Sequence, residues 1–267
     1  IVGALAGFTN QSDDGEINSH IENIIVKDSS ISGHEVGVGL FYTGGVLGST
    51  LHTTMKKVTF FGNVSADEGF VGGIAGGISF SDVDQISNHG SVFSANTVTD
   101  LDSHALGGLF GDLGNSTIND SYNVGDVSGG THVGGLIGRL SNGNSCSEFF
   151  TCPEINNSYV GSNVTGSNVI GALVAGIREG TNNEVAFSNV FWVSDSGINT
   201  GLDAIGYVGS NASTSGSIAA VLDSDMKVEG TYSGFDFADV WAIDPGRNSR
   251  LGYPYLKWQE YLFPEPS

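Results

Sequence analysis

Leu106-Gly107-Gly108-Leu109-Phe110-Gly111 and, 27 residues later, Val133-Gly134-Gly135-Leu136-Ile137-Gly138 are two copies of one block. Further copies read as Val2-Gly3-Ala4-Leu5-Ala6-Gly7, Val36-Gly37-Val38-Gly39-Leu40-Phe41, Val71-Gly72-Gly73-Ile74-Ala75-Gly76 and Ile170-Gly171-Ala172-Leu173-Val174-Ala175. Measured between the central Leu or Ile of each copy, the intervals are 35, 34, 35, 27 and 37 residues. Self-similarity near a period of 35 makes this a repeat protein, and that overrides any domain count taken from length.

About twenty residues after the block comes a second motif: Val58-Thr59-Phe60-Phe61-Gly62-Asn63-Val64-Ser65, Ile86-Ser87-Asn88-His89-Gly90-Ser91-Val92, Tyr122-Asn123-Val124-Gly125-Asp126-Val127-Ser128-Gly129 and Tyr159-Val160-Gly161-Ser162-Asn163-Val164-Thr165-Gly166. Apolar and polar residues alternate here, rich in Val, Ile, Tyr and Phe and bounded by Gly, Asn and Ser. That is strand patterning, with no sustained helical period. Each repeat is then two or three short strands. Such a unit cannot bury its own apolar face, so coils must stack with equivalent strands paired about 4.8 Å apart.

The expected fold is all-β, a parallel β-solenoid of about six coils of about 35 residues with an aromatic C-terminal cap. A propeller would need more residues per blade. Gly3, Gly37, Gly72, Gly73, Gly107, Gly108, Gly134, Gly135 and Gly171 are the repeat-structural glycines, supplying positive φ at a corner or close backbone approach. Asn88 and Asn123 are candidates for a stacked ladder.

Composition narrows the function. Nine Lys and Arg against 29 Asp and Glu give a formal charge of −20, which repels nucleic-acid backbones and anionic membranes. Hydrophobic residues make up 39% of the chain, enough for a core. No run is long enough to span a bilayer, and no basic leader opens the chain. Ile1 falls inside a repeat copy, so neighbouring domains of a longer chain are expected. Cys146 and Cys152 flank five residues and are expected to form a disulfide, in an oxidising compartment, that staples an insertion near 139–157.

After the solenoid, assigned to 1–205, the pattern breaks. Residues 206–267 read as a terminal coil and capping segment. Within it Ser217–Lys227 is expected to form a short helix with Ser217 as N-cap. The aromatics at Phe235, Phe237, Trp241, Tyr253, Tyr255 and Trp258 form either a sugar-binding platform or a cover for the open edge and core of the last coil.

Gly108-Leu109-Phe110-Gly111 and Gly135-Leu136-Ile137-Gly138, each followed by a Ser-Tyr-Asn-Val-Gly-type strand, resemble the GLUG-motif repeats of large bacterial surface proteins. The ending, from Met226 through Val240-Trp241-Ala242-Ile243 and Tyr253-Pro254-Tyr255-Leu256, is similar to the close of such arrays. The first, second and sixth copies depart from Gly-Leu-X-Gly. The resemblance implies a right-handed parallel β-helix exported by a bacterium; such arrays occur in adhesins and beside peptidase or carbohydrate-active modules.

Chemistry is sparse. His34-Glu35 lacks the second histidine of a zincin helix, and neither a nucleophile elbow nor a phosphate-binding loop occurs. His34, His104 and His132 precede glycine-rich blocks at similar offsets and form a candidate metal column, or simply turn residues. Asp13, Asp14 and Glu16, Asp82 with Asp84, and Asp100 with Asp102 are solvated turns, calcium ligands or acid–base pairs. Ca2+ is therefore the one candidate cofactor. Phe149 and Phe150, in the stapled insertion, are the candidate ligand contacts. Asn63-Val64-Ser65 and Asn163-Val164-Thr165 match the glycosylation triplet, as chance provides in so Asn- and Ser-rich a chain.

The expectation is an extracellular or cell-surface stalk or adhesive binding module of a larger exported protein, with enzymatic activity left open. Its partners would be a surface polysaccharide or a protein on a host or neighbouring cell. The alternatives are a β-helix lyase or glycoside hydrolase, marked by a side-wall cleft with two carboxylates and a basic residue, and a structural spacer or assembly subunit.

Overall fold

The computed structural model of the chain describes residues 1–9, 19–34, 40–141, 152–179, 183–195, 197–244 and 252–263. Four parallel sheets run along one stack of coils. The first holds seven strands, Ala6–Thr9, Leu47–Leu51, Ala75–Ser79, Phe110–Gly114, Ile137–Ser141, Val174–Ile177 and Ile205–Val208. The second, with eight strands, runs from Ser19–Val26 through Thr53–Phe60, Asp82–Asn88, Thr117–Asn119 with Tyr122–Asn123, Glu154–Val160 and Asn183–Val193 to Ala212–Val221. Two five-stranded sheets close the section: Ser30–Gly33 to Val164–Thr165, and Tyr42–Gly44 to Val169–Gly171. The fold is a β-solenoid, as the repeat implied, with seven layers in the first sheet and four strands, not two or three, in a full coil.

Register corrects one copy of the block. Val2 bridges Thr43, and Thr43, Val71, Leu106, Val133 and Ile170 follow one another up the stack. The second copy is therefore Thr43-Gly44-Gly45-Val46-Leu47-Gly48, not Val36–Phe41, and Gly44 takes the role expected of Gly37. Residues 35–39, Gly37 among them, lie outside the described residues. A seventh, degenerate copy follows, because Val174 pairs Ile205 and so brings Gly201-Leu202-Asp203-Ala204-Ile205-Gly206 into line. Spacing misled here because Val2 and its partner Thr43 are 41 residues apart in the chain and Thr43 and its partner Val71 only 28.

The glycine column works by close approach. Among the described residues none of the glycines at the second and third positions of the block has positive φ; Gly201, which opens the degenerate seventh copy, does. A Cβ on Gly72, Gly107 or Gly134 would instead lie 2.1, 2.0 or 2.0 Å from the carbonyl oxygen three residues on. Left-handed residues form a separate column at Asn23, Lys57, Gln85, Asp120, Asn157 and Asn189; in the last strand the register shifts here, and the left-handed residue is Gly216, opposite Phe187. There the second sheet bends. All six members of the column carry a side chain, which the αL region tolerates best in Asn and Asp.

Inside, like stacks on like. Met55, Val83, Ile118, Ile155 and Phe187 form one column, and Val64, Val92, Val127 and Val164 another, all nearly solvent-free. The asparagine ladder is real and buried: Asn88 Nδ2 donates to Asn123 Oδ1 at 2.9 Å, and Asn123 Nδ2 donates to Ser162 Oγ at 3.0 Å. Its members satisfy turn backbone, Asn88 Oδ1 accepting from Gly90 N and Asn123 Oδ1 from Gly125 N. They do so from ordinary backbone conformations, not from the left-handed one.

The expected helix at Ser217–Lys227 is absent. Ala212–Val221 is a strand, with Ile218–Val221 paired to Val190–Val193, and only Asp225–Lys227 forms a 3-10 turn. Ready-made sheet partners outweighed the local preference.

The aromatic segment does cover the solenoid, but on its flank. Tyr122 and Tyr159 project outward from the second sheet and stack at 5.0 Å, and Trp241 packs on both. Phe235, Tyr232, Tyr253 and Phe191 complete a cluster that is at least nine-tenths buried, so it is no exposed sugar platform. Gln259 fastens it, donating to Ser87 Oγ at 2.6 Å and accepting from Tyr122 Oη at 2.7 Å. The last strand, Ala212–Val221, stays exposed over eight of its ten residues.

Candidate functional site

Along the outer side of the first sheet, equivalent positions carry Ser49, Gly77, Asp112, Arg139, Gly176 and Tyr207. The two glycines in this column are seats. A Cβ on Gly77 would meet the Tyr42 ring at 2.5 Å, and one on Gly176 would meet Leu101 at 2.7 Å. Tyr42 stacks on Phe70 at 5.4 Å, and the Arg139 guanidinium lies 4.1 Å from the Phe70 ring centre.

Between these seats Arg139 grips Asp112 with two parallel hydrogen bonds of 2.8 Å, the strong fork geometry of this pair. Both side chains are more than nine-tenths buried. Burial opposes the Arg139 charge, but the Asp112 hydrogen bonds outweigh it and hold the pKa above its ordinary value. Burial, then the Asp112 charge, pushes the Tyr42 hydroxyl up to about 12. Arg139 also reaches Asp102 at 3.2 Å, and Arg178 reaches the same carboxylate oxygen at 2.7 Å.

Asp102 belongs to a loop that its neighbour organises. Asp100 Oδ1 accepts from Asp102 N at 3.0 Å, and the Asp100 carbonyl accepts from Ser103 N and His104 N. That turn lays Leu101 on Gly176 and opens a cleft of about 380 Å³ lined by Asp100, Leu101, Asp102, Arg178, Glu179 and Tyr207. Tyr207 Oη donates to Glu179 Oε1 at 3.1 Å, which raises the phenol pKa. The cleft therefore offers carboxylate acceptors, one guanidinium and one half-exposed aromatic ring, a set suited to hydroxyl-rich ligands.

Of the residues singled out from sequence, Asp100 and Asp102 come together here, with Asp102 held by arginines. Asp84 sits against Lys56 at 2.8 Å, with Asp82 exposed on the same strand. Among the described residues no group of three or more His, Cys, Asp or Glu could hold a metal. Asp13, Asp14, Glu16, Phe149, Phe150 and Cys146 lie outside the described residues. Cys152 is not a free thiol.

Of the three histidines only His104 and His132 come together, on adjacent coils. His34 is exposed and pairs with Asp67 at 2.7 Å, while His104 and His132 are buried. Asn96 Oδ1 accepts from Val98 N, so its Nδ2 donates to His104 Nδ1, leaving the proton on Nε2. That atom and His132 Nδ1 have no hydrogen-bond partner. Burial, then the neighbouring His132, pushes His104 down to about 4. Burial also lowers His132.

Sequence reading missed Arg139, Asp112, Arg178, Glu179 and Tyr207. One signal was available: Gly111-Asp112 and Gly138-Arg139 put opposite charges at the same position of consecutive copies.

No protein-family profile matches the chain, so none supports the GLUG resemblance. Halomucin of Haloquadratum walsbyi is similar, with 37% identity over 125 residues, a stretch that is 43% of this chain and 1% of halomucin. The chain thus corresponds to a very small part of that relative's length.

Proposed function

We propose that this chain is an extracellular binding and stalk module of adhesin type within a longer exported protein, and that its side-wall cleft receives a polysaccharide. The observation that carries this reading is the cleft itself, set in a wall of seven aligned strands. Its carboxylates and guanidinium face a ligand's hydroxyls, and the Tyr207 ring supplies an apolar surface of the kind sugars stack on. Tyr207 stands on a strand of the first sheet, Arg178 and Glu179 directly follow another, and the Asp100–Asp102 turn is pinned to that sheet by Arg139 and Arg178. Similarity to a protein whose name denotes a mucin supports an extracellular setting, and the acid excess suits a saline medium.

A second reading, a lyase or hydrolase, is favoured by the same cleft, which sets carboxylates beside Arg178. One experiment separates the two. The protein is immobilised and challenged with a panel of acidic and neutral polysaccharides, scoring both retention and new reducing or unsaturated ends. Retention without new ends supports the binding module, and new ends support the enzyme. Neither result leaves a spacer and refutes binding. Tyr207→Ala should weaken retention about tenfold, the equivalent of about 1.4 kcal/mol.

A further inference from the structure

The strand Ala212-Ser213-Thr214-Ser215-Gly216-Ser217-Ile218-Ala219-Ala220-Val221 is the last of the second sheet and, among the described residues, pairs only on its Asn183–Val193 side. Long exposed edges are ordinarily blunted by charge, proline or a covering segment, because their free N–H and C=O groups template pairing with another chain. Among the described residues, this one has none of those devices. Its ten residues contain no charged residue and no proline. Eight are exposed, Ile218 among them, and Leu222 just beyond is 52% exposed. The segment that follows had every opportunity to cover it. Instead, from Met226 to Phe263 its described residues pack against the flank, on Tyr122, Tyr159 and Phe191.

We infer that this edge pairs with the same edge of a second copy of the chain, antiparallel, so that the second sheet runs through a two-fold dimer. Charge selects the occupant. With a formal charge of −20, two copies repel nearly everywhere they can meet, and the uncharged strand is a place where backbones can close to pairing distance. Glu184, one layer back, accepts from Ser215 Oγ at 3.3 Å, and Asp223, two residues past the strand, is held by Lys227 at 2.7 Å. A two-fold contact is isologous: the same strand serves both copies, and the interface closes on itself. The bend at Gly216 lies mid-strand, so reversal about that point superposes bend on bend.

The test uses the whole chain. Light scattering over a range of concentrations, in low and in molar salt, is expected to show a dimer that strengthens as salt screens the acids. Thr214→Lys combined with Ala219→Lys should return it to monomer with an unchanged circular dichroism spectrum. Phe93→Lys, on an exposed residue of a different sheet, should leave the dimer intact. A two-fold centred at Gly216–Ser217 places Ser213 of one copy beside Ala220 of the other. Mixing Ser213→Cys with Ala220→Cys variants should then give a mixed disulfide. A monomer at every salt and concentration overturns the inference. So does a dimer that tolerates both lysines, or a ladder of larger species without the 213–220 cross-link, which would mean head-to-tail stacking.

Discussion

Replacing Gly107 by alanine tests the stacking directly. The added Cβ would lie 2.0 Å from Phe110 O, 2.6 Å from Gly138 N and 2.8 Å from Ile137 Cα. A carbon–oxygen contact settles at roughly 3.3–3.6 Å, so more than about 1 Å must come from displacement. All three neighbours are backbone, and two belong to the next coil, so no rotamer change relieves the clash. Overpacking of this kind costs about 1–3 kcal/mol, and a rigid backbone on every side puts this case at about 3 kcal/mol or above. For a chain of this size that corresponds to a fall in melting temperature of roughly 6–12 °C. Gly230 is the internal control: a Cβ there meets nothing within 4 Å, and its φ is ordinary. Gly230→Ala should stay within about 0.5 kcal/mol of the parent. Thermal unfolding followed by circular dichroism reads both. If the two variants melt within a degree of each other, close approach is not what the block glycines provide.

Arg139→Met should cost about 3–5 kcal/mol by stranding the buried Asp112 carboxylate, whereas Arg139→Met with Asp112→Leu should recover much of it, as chemical denaturation can show. Acid should weaken the fold through His104. Its folded pKa of about 4 lies below the ordinary 6.5, so the unfolded chain takes up the proton first. Stability is complete above pH 6.5 and declines as pH falls toward 4, by at most about 3 kcal/mol. The melting-temperature gap between the parent and His104→Gln must change across that window, and parallel curves would refute the assignment. Trp241→Ala should cost about 3–5 kcal/mol and raise the proteolytic sensitivity of the 226–263 segment; an unaltered digestion pattern would mean that the flank is not held by that ring.

The fold was legible because stacking constrains sequence at every layer. Val64, Val92, Val127 and Val164 repeat because each must fit the same slot, and the glycines repeat because each faces the same backbone. The second block copy was misread for a related reason. Thr43-Gly44-Gly45-Val46 departs from the consensus at its first residue, while Val36-Gly37 mimics it, and only hydrogen-bond register separates them. The cleft was largely illegible. Asp102 meets Arg178 from 76 residues away in sequence, joined by a loop whose course depends on Leu101 finding the space over Gly176. The seating of Leu101 is a contact between coils, and no local pattern encodes it. Asp84 looked like half of an acidic pair and proved to be half of an ion pair, because Lys56 occupies the same position one coil earlier.

A stack in which each layer touches only its neighbours tends to fray from its ends inward. The tail from Met226 to Phe263 alters that behaviour. It is fastened at Ser87, Tyr122, Tyr159 and Phe191, which belong to four successive rungs. Losing any one of those rungs therefore loosens a belt shared by the other three. Tension on the belt meets them side by side in shear and does not open them one after another, which is the loading under which hydrogen-bonded ladders resist longest. In the proposed stalk role, the flank seam and not the coil end would set how much pull the chain withstands.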